Sequence, residues 1–315
     1  MFNFFKKPKT QEYTLFDFCA DAIATSVITI KNDQLELSNK FEQRLPKAAV
    51  LGTKILNYEA VLEAASFSLQ NTFLTFGKRV KKAFVLFSGG AIAGVSLIVK
   101  INRGNQNPLS EKELSFIIAK AQAEITSKGL DNLSSFGFDR TSLEFLNCDI
   151  LSFRFDGKTG PSPLGTMSKT LEAIFYLRFI RKAQWPVILE LANDLKLELE
   201  YFWEKTPLLS LGLLGLQKNG AVLNSGLGFS DITALADGRI LPNLSFDLGL
   251  ADFRQNPEVY RQSLQLGIVK ILKAKKPEKL YWSGQPPLPF ESSNWEQIPA
   301  EALKRGLGWI LLKYG

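Results

Sequence analysis

Apolar positions along the chain alternate between short stretches of period two and longer stretches of period near 3.6. Residues 14–19 and 27–30 are apolar runs and LELSNKF from Leu35 alternates, so the opening predicts a three-stranded meander. Over residues 57–74, Val61, Leu62, Ala65, Leu69, Phe73 and Leu74 recur at helical spacing. Two short buried strands joined by the turn Ser88-Gly89-Gly90 are predicted over residues 83–99. Ser110 followed by Glu113 reads as a capping box, opening a helix that Gly129 should end. Three strands are then expected, at 136–147, 149–157 and 170–180, with a Pro/Gly-rich loop before the last. From Trp185 onward helices and strands alternate: helix 186–195, strand 197–203, helix 208–216, strands 221–226 and 230–238, then helices 257–273 and 299–312 around KLYWSGQPPLP. That alternation argues α/β. Strand-turn-strand units at 15–30 and 221–236 echo one another, a candidate duplication.

At 315 residues and 45% hydrophobic, the chain has length for about two compact units. It holds no histidine, which removes Ser-His-Asp and Cys-His catalysis and every His-containing metal site. Cys19 and Cys148 are far apart and form no C-x-x-C pattern, so neither zinc, an iron-sulfur cluster, haem nor a disulfide framework is written in the sequence. Both read as buried small hydrophobes in a reducing cytoplasm. The net charge of +7 is mild and its clusters are scattered, with no nucleic-acid motif beside them, so nucleic acid is not an expected partner. The 17 uncharged residues from Ala83 to Val99 touch the lower length limit of a membrane span, but their central glycines and β-branched flanks favour strands. The opening MFNFFKKPK sets Phe2, Phe4 and Phe5 beside Lys6 and Lys7, a composition suited to peripheral membrane contact. Pro8 and the shortness of the segment argue against an independent helix there and leave a disordered tail as the other reading.

The segment most informative about chemistry is LNSGLGFSDI, residues 223–232. Glycines at alternate tip positions of a tight hairpin let backbone N–H groups approach a phosphate, and a following hydroxyl and carboxylate can add a donor and a metal-water contact. Gly226 and Gly228 with Ser230 and Asp231 are therefore candidates for an anion site, although Gly-x-Gly in a strand turn is more often only a turn. Asp21, Asp231 and Asp247 are the carboxylates that could serve as a base if they converge; turn capping at a wet surface is the other reading.

This segment resembles the second phosphate loop of the actin-like fold, D-x-G-x-G-x-[ST]-D, in its FtsA type. Four further segments resemble that family in the right order. FDFCADAIATSVITIKN stands where the first phosphate hairpin belongs, with Asp21 or Asp17 as its Asp and Thr25 and Ser26 beside it. FSGGAIAGVSLIVKINR, the capped helix and FRFDGKTGPSPLGTMSKTLEAIFYLRF resemble the extra inserted subdomain. KLYWSGQPPLP resembles the adenosine loop, with Ser283 and Gly284, and ALKRGLGWILLKYG the closing helix.

The resemblance implies an actin-like, ribonuclease H-like, two-half α/β fold: a tail at 1–12, half I at 13–80 plus 183–204, an α+β insert at 81–182, and half II at 205–315. It implies ATP with magnesium as cofactor, self-association and division proteins as partners, and work at the cytoplasmic face of the membrane. The departures are specific. Asn224 replaces the metal-organising Asp, Leu227 replaces a Gly, no Gly occurs over residues 18–26, and Gln285 replaces the second Gly of the adenosine loop. Only about 40 residues separate Gly238 from Leu280, too few for the clamp subdomain that docks the tubulin-like protein FtsZ. The chain also reaches Gly315 without the family's amphipathic anchor. The expected protein is a division scaffold with weak or absent ATP hydrolysis. An active ATPase and a PilM-like pilus assembly protein stand as the alternatives.

Overall fold

The computed structural model describes residues 10–19, 21–46, 49–51, 54–104, 106–159, 163–215, 218–272, 279–283 and 295–312. Residues 1–9, which carry Phe2, Phe4, Phe5, Lys6 and Lys7, and Gly284 with the rest of the adenosine-loop segment lie outside them.

The first unit is built from β1 (Thr10–Phe18), β2 (Ala22–Lys31), β3 (Gln34–Leu37), β4 (Phe41–Arg44), a minor pair β5 (Val50–Leu51) and β6 (Lys54–Ile55), α1 (Tyr58–Phe76) and β7 (Lys82–Phe87). Asn57 starts α1 by accepting the Ala60 amide, and Gly77 ends it at φ 83°, a left-handed cap that favours glycine. The insert follows as β8 (Ile92–Asn102), α2 (Glu111–Ser135), β9 (Leu143–Phe155), β10 (Lys158–Thr159) and β11 (Thr170–Arg181), its strands forming a second sheet in the order β10-β9-β11-β8. The chain then returns through α3 (Trp185–Asp194) to β12 (Glu198–Glu204), which completes the first sheet in the order β12-β7-β1-β2-β3, with β4 beside β2. β12, β7 and β1 run parallel, and β2 and β3 antiparallel.

The last third holds α4 (Lys205–Leu214), β13 (Gly220–Ser225), β14 (Ser230–Ala236), β15 (Arg239–Ile240), β16 (Leu244–Phe246), α5 (Leu250–Gln255), α6 (Pro257–Leu272), β17 (Lys279–Ser283), β18 (Trp295–Gln297) and α7 (Glu301–Leu311). Its sheet, the third, runs β15-β14-β13-β17-β18. β14–β13–β17–β18 repeats the antiparallel-then-parallel plan of β2–β1–β7–β12. Among the described residues only β15, β16, α5 and α6 lie between β14 and β17.

The central core lies between the first and third sheets. Leu15, Ile28, Leu86 and Trp203 of the first meet Val222 and Leu235 of the third across α4 and α7. The two helices cross with backbone nearly touching. A Cβ on Gly212 would come within 1.9 Å of the Ala302 carbonyl oxygen, and one on Gly306 within 2.2 Å of that of Leu208.

Several expectations need correction. β7 pairs with β1 and β12, so residues 82–87 belong to the first sheet and the insert begins after them. The two strands around Gly89 do not pair with each other; the turn carries the chain from one sheet to another. α2 runs through Gly129 to Ser135, because the missing side chain there lets the helix settle on Phe179 and Leu177, 3.1 and 3.2 Å from a would-be Cβ. Glu113 does not close the capping box with its side chain, which instead takes both ends of the buried Arg103 guanidinium at 2.8 Å. The two strands expected over 136–157 are one 13-residue strand, bent by two register shifts against β11. Among the described residues no helix is long and apolar enough to cross a membrane.

Candidate functional site

The hairpins β1–β2 and β13–β14 meet at their tips, where Leu227 N donates to Asp21 Oδ2 at 3.3 Å. Period two along β1 sends Phe16 and Phe18 toward α1 and α3, and Leu15 and Asp17 toward α4. The same alternation turns Thr25 away from the gap. Its hydroxyl bonds Ser68 at 2.8 Å and Thr72 at 2.6 Å, both on α1. Ser26 lies on the opposite face and is buried. On the second hairpin, Ser230 bonds Tyr260 of α6 at 2.9 Å and Ser225 at 3.3 Å. Asn224 and Asp231 are cross-strand partners on the other face. Asp247 is exposed beyond β16, so the three carboxylates singled out in the sequence take separate roles.

Three buried carboxylates lie along the seam between first sheet, insert and third sheet, and each has its partners within the chain. Asp17 Oδ2 accepts from Lys205 Nζ at 2.6 Å, with the Asp17 side chain 7% exposed and that of Lys205 20%. The Cys19 thiol donates to Asp17 at 3.5 Å and accepts from Lys205 at 3.9 Å. Burial works against the Lys205 charge, but the Asp17 carboxylate, then Cys19, outweigh it and hold the ammonium above the usual lysine range. Burial and the Asp17 charge push the Cys19 thiol up, so it is no thiolate at neutral pH.

Asp231 is fully buried. It accepts from Gly89 N at 2.9 and 3.2 Å and from Ser245 Oγ at 2.6 Å. Burial raises it to about 6, against the pull of those two donors and of Lys205. Glu204, 1% exposed, accepts from Tyr176 OH at 2.5 Å and Gly94 N at 2.9 Å. Burial raises it to about 7, opposed by the Tyr176 bond and by Arg178. Gly94 admits no side chain, since a Cβ would sit 2.0 Å from the Tyr176 hydroxyl. Arg178, fully buried, stacks 4.2 Å above Trp203, donates to Asn147 at 2.7 Å and pairs with Asp149. This seam ties the insert (Gly94, Tyr176, Arg178) to β12 and ties Gly89 to the second hairpin.

Sequence reasoning found Asp21 and Asp231 but missed Lys205, Glu204, Gly89 and Ser245. One signal was available: Glu204-Lys205 closes the apolar run of β12 where a solvated charge pair is out of place. Gly89 was legible only as a turn.

ATP with magnesium, which the actin-like resemblance implies, requires open donors at both tips and a carboxylate available to a cation. The described residues do not fit. Asp17 is held by Lys205, the Leu227 amide is held by Asp21, and Gly226 N closes its own turn onto the Phe229 carbonyl at 3.0 Å. Cys19 stands in the first turn where closest backbone approach calls for glycine. Gly249 packs over the second tip, 2.3 Å from its would-be Cβ to the Leu227 carbonyl oxygen. Gly228 alone of the tip glycines faces open space. Ser283 ends β17, next to the segment outside the described residues.

No protein-family model and no curated protein matches the sequence. Among solved structures, the PilM-PilN type IV pilus biogenesis complex matches with TM-score 0.60 at 12% identity, over 98% of this chain and 100% of that one. The ethanolamine utilization protein EutJ from Carboxydothermus hydrogenoformans gives 0.48 at 9% identity, over 98% and 92%. A Bacteroides thetaiotaomicron protein of unknown function, described as having an actin-like ATPase fold, gives 0.41 at 13% identity, over 96% and 89%. At these identities the likeness is one of fold. The fold is actin-like, with two related sheets, two central helices and an inserted α+β unit.

Proposed function

We propose that this protein is an actin-fold scaffold that holds a partner protein in a membrane-associated assembly and does not turn over ATP. The observation that carries this reading is the inward use of the ionic groups along the seam. Asp17, Asp231 and Glu204 are all engaged by groups of the chain itself, which leaves the fold its shape and surfaces to work with. The end-to-end match in fold to a chain of a PilM-PilN complex favours a pilus-type assembly over the division role that the sequence suggested. A division scaffold of the FtsA type makes the same structural demands and differs in its partner, FtsZ being the candidate there. In either case the place of work is the cytoplasmic face of the membrane, with residues 1–9 as the candidate contact.

Deleting the gene in the source organism and imaging cells by electron microscopy tests the reading. Loss of surface pili with normal cell length supports the pilus assignment. Filamentous cells with intact pili would move the protein to division, and wild-type pili and length together would overturn the scaffold reading.

A further inference from the structure

One stripe of α1 carries apolar side chains into solvent. Leu74 is 72% exposed and Phe67, two turns earlier, 56%. Beside this stripe the end of α3 leaves a groove of about 630 Å³, floored by Leu69, Phe73, Leu74 and Leu195. Its rim near Gly77 is basic, with Lys78, Arg79 and Lys196. Lys78 pairs with Glu12 at 2.8 Å, and Arg79 donates to the Leu195 carbonyl oxygen at 2.8 Å with its guanidinium 5.9 Å from the centre of the Phe73 ring. Lys196 is exposed and has no ion-pair partner among the described residues. The one acid of the lining, Asp194, accepts from Tyr58 OH at 2.8 Å. Lys78 and Arg79 lead into the start of β7, whereas the first hairpin tip follows Phe18, which pairs with Phe87 at the end of β7. The groove therefore lies at the other end of the first sheet from that tip, and the contacts that engage the tip leave it uncovered.

We infer that this groove seats a segment of a partner protein that is both apolar and acidic, with leucine or phenylalanine side chains over Phe73 and Leu74 and a carboxylate beside Arg79 and Lys196. This deepens the scaffold reading and rests on it, since a scaffold needs a surface for its partner. The sign of the occupant follows from the rim, where three cations face one acid that already has a donor; a carboxylate is the complementary group. Its apolar content follows from the floor and from Leu74, which gains most by leaving water. Residues 66, 69, 70, 73, 74 and 77 line the groove at helical spacing, so it runs along α1 for about 16 Å at about 1.5 Å per residue. That length accommodates anchors at i, i+3 or i+4, and i+7 of a short helix. A recessed floor suits side chains that insert; a flat bilayer would meet only the rim.

The test selects binders to the immobilised full chain from a displayed library of random peptides, then measures the recovered peptides in solution by fluorescence anisotropy. Recovered sequences should combine Leu or Phe with Asp or Glu. Leu74→Ser should weaken them about tenfold, as expected for loss of one buried apolar anchor, and Lys196→Glu about fivefold, with the second effect shrinking as salt is raised. Both positions are exposed, so the variants keep the fold, and melting temperatures equal to the wild type check it. Phe116→Ser, at a 69% exposed position on α2, should bind the peptides as the wild type does. Peptides that lack acidic residues, that bind Leu74→Ser as tightly as the wild type, or that fail to emerge overturn the inference. Vesicles of phosphatidylglycerol supply the other arm: sedimentation with them that Leu74→Ser abolishes, without any groove-dependent peptide, would make this face a membrane contact and overturn a protein occupant. The scaffold reading is judged separately, by the deletion phenotype and by phosphate release. A pilus phenotype together with peptides that ignore the groove would overturn the inference and leave the scaffold reading standing, with its partner seated elsewhere on the fold.

Discussion

Replacing Glu204 by glutamine should flatten part of the protein's pH dependence of stability. The carboxyl is buried between Tyr176 and Gly94, and its pKa rises from an ordinary 4.5 to about 7. Below about pH 4.5 the group is protonated in both folded and unfolded chains, and its contribution is fully present. As pH rises, the unfolded chain gives up the proton first while the folded chain keeps it, so stability is lost up to about pH 7 and then levels off. At about 1.36 kcal/mol per unit, the gap between the two values corresponds to about 3 kcal/mol. Glutamine preserves the geometry, since its oxygen can accept from Gly94 N and its amide can donate to the Tyr176 oxygen. Urea denaturation of both proteins between pH 4.5 and 8 isolates the group, because every other titration is shared. The variant should gain on the wild type by about 3 kcal/mol across that range, with equal m-values. Parallel stability curves would refute the reasoning and place Glu204 in contact with water or ionised throughout.

Asp231→Ala strands the buried Gly89 amide and removes the acceptor of the half-buried Ser245 hydroxyl, and at about 1–3 kcal/mol for an orphaned buried group the loss in chemical denaturation should reach about 1–3 kcal/mol; a loss below 1 kcal/mol would mean water replaces the carboxylate. Gly306→Ala drives a methyl group toward the Leu208 carbonyl at the helix crossing and should destabilise by about 1–3 kcal/mol or more, whereas Gly308→Ala, with only a Leu312 methyl 3.7 Å away, should be neutral or better in the same assay.

Much of the fold was legible because burial writes itself into period. The meander, α1, β12 with the helix behind it, and the hairpin at residues 220–236 all announce themselves as strands or helices in the apolar pattern. What periodicity cannot report is which sheet a strand joins. β7 and β8 look like one glycine-turned pair, yet only long-range pairing with β1 and β11 separates them. Gly129 misled for a related reason: as a helix-stop signal it is ambiguous until the sheet beneath it is known. At the site, motif spacing located both hairpin tips but not the direction of their side chains. Thr25 and Ser230 match the motif and face α1 and α6, while Lys205 matches no motif and pairs with Asp17.

The claim tested most directly is that the seam and the hairpin tips are engaged from within. Purified wild-type protein, melted with and without millimolar magnesium ATP while phosphate release is followed on the same sample, measures that claim. The melting temperature should be unchanged and phosphate release should not exceed the protein-free rate. A rise in melting temperature contradicts hairpin tips engaged from within, and a rise with turnover restores an ATP-driven machine.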